Sequence, residues 1–160
     1  MAGEPVMLLA LRVVMRTVHT IAAAAWVGGS IFYLVALLPS LRAGGLAPAV
    51  AAQISSGFRK LVNVCMGVLL LTGVYLTFDR LATTALGLAY VVVLGVKIAV
   101  AVTMFALAIY QAQEGVSRLR ARKPRPRRWA AVPQLILALG LLAFLLGAVL
   151  TTLFEGALAG

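Results

Sequence analysis

Four predominantly apolar runs, 7–38, 61–78, 86–110 and 132–154, take up most of a chain of 160 residues. A hydrocarbon layer of about 30 Å needs roughly 20 helical residues to cross it, so each run reads as a transmembrane helix. Lipid offers the backbone no hydrogen-bond partners, which leaves helices that satisfy themselves. The expected fold is therefore all-α, an integral membrane four-helix bundle forming a single membrane domain over 1–160. Composition agrees: 63% of residues are hydrophobic and 11% charged, too few polar groups to cover a water-soluble fold. The start of 7–38 looks like a signal peptide with Ala22–Ala25 as its cleavage region. The apolar run continues straight through that region, and Arg12 and Arg16 interrupt the would-be apolar core, so cleavage is not expected.

The connections set the orientation. Residues 39–60 contain Gly44, Gly45 and Pro48, then 50–58 with mixed polarity, read as a short interfacial helix. Residues 79–85 read as a turn. Residues 114–128 carry Arg118, Arg120, Arg122, Lys123, Arg125, Arg127 and Arg128, with Pro124 and Pro126 opposing a continuous helix. Such a basic run suits anionic lipid head groups, but it serves first as a topology signal. Together with Arg42, Arg59 and Lys60 it places ten of the 14 Lys and Arg on one side, against Arg12, Arg16 and Arg80 on the other. The expected orientation is a cytoplasmic basic loop and both termini outside, in a bacterial-type inner membrane. The net charge of +10 thus needs no nucleic acid to explain it.

Polar side chains inside lipid are costly, so their positions carry information. On the first helix Arg12, Arg16, His19, Ala23, Trp26, Ser30 and Tyr33 follow steps of three and four and share one face. On the third, Tyr90, Lys97, Met104 and Gln111 recur every seven residues. The second offers Asn63, Met66, Leu70 and Gly73. The fourth gives a smooth line of Gly140, Ala143, Gly147 and Thr151, suited to close packing. A bundle with the two polar stripes facing inward follows.

Lys97 stands near the middle of a span, where a lysine costs roughly 2.5–3.5 kcal/mol unless something compensates it. Glu4, Asp79, Glu114 and Glu155 all fall near or beyond the ends of the runs, so no carboxylate is expected to serve. An anionic ligand, a cluster of carbonyls or a metal-bound cofactor remains, besides simple snorkelling. His19 is the chain's single histidine. A neutral imidazole suits iron, copper and zinc, and Arg12 and Arg16, one and two turns away, suit the propionates of a haem. Met66 and Met104 could supply a soft ligand to haem iron or hold Cu(I), although a methionine so placed is more often packing than ligand. Cys65, the sole cysteine, reads as a small buried hydrophobe and excludes both an internal disulfide and a C-x-x-C site.

The stretch from His19 through Trp26, Gly28 and Gly29 to Phe32 resembles the first helix of the copper-resistance D (CopD) domain. It is also similar to the first helix of HemJ, the haem-containing protoporphyrinogen oxidase. Phe58-Arg59-Lys60 through Thr72-Gly73 to Tyr75 is similar to the CopD pattern of a basic start followed by a Thr-Gly pair. Tyr90 through Lys97 to Tyr110 resembles the third helix of both families. The resemblance implies His19 as haem or metal ligand and Lys97 as its functional partner. HemJ implies b-type haem and porphyrinogen oxidation; CopD implies copper movement across the inner membrane. The chain lacks the later histidines of HemJ and the extramembrane histidine or methionine cluster that would collect copper.

Three functions follow as expectations. The first is a haem b protein moving electrons or oxidising a hydrophobic substrate, with His19, Lys97, Arg12, Arg16, Trp26 and Tyr90 around the cofactor. The second is a copper-handling permease using His19, Met66 and Met104, with Cys65 as a further candidate. The third is a non-catalytic subunit of a larger membrane complex, with Lys97 serving assembly. The lipid bilayer is the expected partner, and a homodimer stays open. No catalytic residue is identified.

Overall fold

The computed structural model describes residues 6–43, 47–83, 87–121 and 131–159. Helix α1 spans Val6–Phe32 and passes through a wide π turn, Tyr33–Leu37, into the short α2, Leu38–Arg42. Three long helices follow: α3 Pro48–Thr83, α4 Leu88–Ala121 and α5 Val132–Ala159. Among the described residues there is no strand. Four stretches, Val6–Ser40, Ala52–Ala82, Leu88–Gln111 and Val132–Gly156, are long and apolar enough to cross a bilayer. The chain is thus all-α with four membrane-spanning helices, as its hydropathy requires.

Several helix ends differ from the sequence reading. The expected interfacial helix 50–58 and the span 61–78 are one continuous helix, α3. Pro48 occupies its first position, where a missing N–H costs nothing, and no proline follows before Thr83. The Ser56 hydroxyl donates to the Gln53 carbonyl at 2.9 Å, so a polar stretch satisfies itself on its own helix. The expected turn 79–85 is helical as far as Thr83; residues 84–86 lie outside the described residues. Asp79 and Arg80 do not end the helix because both find partners across the bundle, described below. Likewise α4 runs to Ala121, into the expected basic loop 114–128, since no proline intervenes before Pro124. The remainder of that loop, 122–128, lies outside the described residues.

The π turn has a local cause. Pro39 lacks an N–H, and its ring crowds the carbonyl four residues earlier, at Val35. The turn before it widens, and the Leu38 N–H donates to the Tyr33 carbonyl, five residues back.

The helices pack in heptad register. Along α1 and α3, Arg12 meets Asp79, His19 meets Thr72 and Tyr33 stacks on Phe58. Along α4 and α5, Tyr90 meets Phe154, Lys97 meets Gly147 and Met104 meets Gly140. Each step of seven on one helix is answered by seven in the opposite direction on its neighbour, the pattern of antiparallel knobs-into-holes packing. Between α1 and α5, Arg16 reaches Thr151 and Val27 sits beside Gly140. The sealed part of the bundle is a cluster of Trp26, Cys65, Met66, Met104, Phe105 and Ile136. Trp26 stacks on Phe105 with ring centroids 5.2 Å apart. Outward faces are apolar: Leu71 and Leu88 are 76% and 80% exposed, as lipid-facing side chains should be.

Candidate functional site: a cationic cavity among the helices

Between residues 16–27 of α1 and 90–105 of α4 the four helices surround a cavity of about 540 Å³. Its wall is mostly aliphatic and aromatic, from Leu69, Leu94, Ile98, Phe105 and Phe144 among others. Its polar groups come from the two stripes read in the sequence and from Thr20, Thr77, Arg80 and Thr151. Arg16, His19 and Trp26 of α1 and Tyr90, Lys97 and Met104 of α4 all line it. His19 and Lys97 are level. Trp26 stacks on Phe105, and seven residues back along these parallel helices His19 falls opposite Ile98, one position from Lys97.

Two of the expected site residues are elsewhere. The Arg12 Nε donates to Asp79 Oδ1 at 2.8 Å, with the two side chains 28% and 16% exposed. That guanidinium is held by a carboxylate of α3, four residues before the helix ends at Thr83. Asp79 therefore answers Arg12, while Lys97 has no carboxylate partner among the described residues. Met66 is buried in the sealed cluster beside Cys65 and Met104, and does not line the cavity.

The imidazole of His19 is held by a residue of the second span. Thr72 Oγ1 lies 2.6 Å from the Val68 carbonyl and 2.7 Å from His19 Nδ1. A carbonyl only accepts, so the hydroxyl's one proton goes to Val68. Nδ1 of His19 must then donate to Thr72, and Nε2 keeps its lone pair. A ring fixed through Nδ1–H with Nε2 unprotonated is the arrangement of a metal-binding histidine. Gly73 lies beside it: a β-carbon there would stand 3.5 Å from Cε1 of the ring, an ordinary contact.

A second feature lies along α5. Lys97 Nζ comes within 3.1 Å of the place a β-carbon on Gly147 would take. One turn on, Arg16 Nη2 donates to Thr151 Oγ1 at 3.3 Å. Three residues further, the Arg80 guanidinium lies over the Phe154 ring, 3.5 Å from its centroid. Cations from α4, α1 and α3 thus line up beside Gly147, Thr151 and Phe154. No Asp or Glu is among the residues lining the cavity. Sequence reasoning counted Arg80 only as a topology charge and used Thr72 only as half of a Thr-Gly pair. The seven-residue spacing of Lys97 and Met104, matched by Gly147 and Gly140, was the signal for the α4–α5 pairing.

Among the described residues no three His, Cys, Asp or Glu side chains gather as a metal site. The donors available are the His19 imidazole and, deeper in the cavity, the Met104 thioether. No curated protein and no solved structure matches the chain significantly. A family model does: copper resistance protein D matches residues 52–150, covering α5 to Leu150, all of α4 and all of α3 but its first turn. The match includes Thr72, Gly73, Lys97 and Gly147 and stops short of α1, which carries His19. With more than half of its length matched, the chain belongs to the CopD family of membrane proteins.

Proposed function

We propose that this chain handles copper within the membrane, with His19 Nε2 as the donor that receives the ion. The observation that carries the reading is the His19–Thr72–Val68 chain of hydrogen bonds, which turns a lone intramembrane imidazole into a fixed ligand. Copper is cargo here. An imidazole nitrogen with a thioether further along the same cavity suits the soft, low-coordinate Cu(I) better than a hard divalent ion. Trp26 lies seven residues beyond His19 on α1, about 10 Å along the axis, and Met104 packs in its cluster. His19 and Met104 therefore lie at different depths, with Met66 and Cys65 in the same cluster as Met104. That order supports passage from nitrogen to sulfur donors rather than one closed metal cage. The membrane in question is the bacterial-type inner membrane, the basic stretch 114–128 faces the cytoplasm, and the cavity end faces outward.

Competition for Cu(I) with a chromophoric chelator, on the detergent-purified protein, tests the reading. One Cu(I) per chain is expected, and His19→Ala should lose it while circular dichroism shows an unchanged helix content. Equal Cu(I) retention in His19→Ala would sink the assignment. A Soret band that vanishes in the same variant would replace copper with b-type haem.

A further inference from the structure

We propose that the cavity seats an amphipathic anion: a carboxylate or phosphate head between Lys97 and Arg16, with an apolar body against the aliphatic wall. The argument is one of charge and place. Lys97 Nζ at Gly147 and the Arg16 guanidinium at Thr151 stand one turn apart along α5, about 6 Å. One anionic group spans that gap. Arg80 over Phe154 extends the positive line toward the mouth. Asp79 pairs with Arg12, and among the described residues no carboxylate lines the cavity.

Positive charge held inside a bilayer is expensive, so a cavity that keeps Lys97 and Arg16 one turn apart should admit a counter-anion with them. Charge-assisted hydrogen bonds to a carboxylate or phosphate are the strong kind. The rest of the wall is hydrocarbon and aromatic, and the volume falls within the roughly 300–1,000 Å³ of pockets that enclose small organic ligands. A small inorganic anion would leave that apolar surface uncovered; a neutral lipid would leave the cations unanswered. The seat does not depend on the copper reading. The two are compatible, because an anion beside Lys97 offsets the charge that would repel a cuprous ion from His19.

The test is titration of the purified full chain, in a zwitterionic detergent, with radiolabelled oleate and with oleyl alcohol of equal chain length. Oleate should bind about tenfold or more tightly than the alcohol, as charged hydrogen bonds require. Lys97→Met should abolish that preference, whereas Lys97→Arg should keep it. Equal affinity for acid and alcohol, or an unaltered preference in Lys97→Met, overturns the proposal. Native mass spectrometry of protein taken directly from membranes separates the sources: a bound phospholipid assigns the head to phosphate, a bound fatty acid to carboxylate. Retained oleate preference with no Cu(I) binding would sink the copper reading alone.

Discussion

Gly147 and Lys97 are fitted to each other: the lysine ammonium fills the space that any side chain at Gly147 would need, 3.1 Å from its missing β-carbon. The lysine tip is flexible, so Gly147→Ala should displace it by a few tenths of an ångström and cost little stability. Gly147→Leu has no such escape. It should destabilise the α4–α5 pair by about 1–3 kcal/mol, the usual cost of overpacking. Thermal unfolding in detergent measures both. Gly140→Ala is the control, because its β-carbon would meet Val27 and Met104 at ordinary contact distances of 3.4 and 3.5 Å.

Thr72 should tune His19 without touching the metal. Thr72→Val keeps the shape and removes the hydroxyl, which leaves the Nδ1–H without its acceptor. Cu(I) affinity should fall by about 10–100-fold, the typical effect of losing a partner behind a ligating histidine. Thr72→Ser should retain most of it. The chelator competition reads both variants, and unchanged affinity in Thr72→Val would detach the hydrogen-bond chain from metal binding.

The Arg12–Asp79 pair should tie the start of α1 to the end of α3. It is neither fully exposed nor sealed, so its coupling should fall at about 1–2 kcal/mol, between the surface and buried extremes. Both residues make further interactions, and single variants therefore cost more than the pair is worth. A double-mutant cycle of Arg12→Gln and Asp79→Asn isolates the coupling. A coupling near zero would mean that α3 continues past Asp79 for another reason.

Orientation is tested with cysteines. In a Cys65→Ser background, Ala121→Cys should react with an impermeant maleimide only after the cytoplasmic side is opened, as the positive-inside rule demands. Labelling in intact cells would reverse the bundle and put the cavity mouth on the cytoplasmic side.

What could be read from the sequence was whatever depends on one helix at a time. Hydropathy and run length determined four spans and an all-α fold, because a helix that cannot pair its backbone with lipid must satisfy itself. Helical periodicity placed Arg16, His19 and Trp26 on one face, and a seven-residue repeat placed Tyr90, Lys97 and Met104 on another. All six line the cavity. The energy of a charge in lipid, by contrast, depends on what another helix brings to it, and that is a property of the tertiary structure. Asp79 looked like the end of a span until Arg12, 67 positions away, supplied its counter-charge. Met66 had the spacing of a ligand but is turned into the sealed cluster, and Arg12 had the spacing of a cofactor contact but is engaged by a carboxylate. The roles of Thr72 behind His19 and of Gly147 beside Lys97 exist only across helix interfaces. Local periodicity says which face of a helix is polar; only the packed register decides which group stands opposite it.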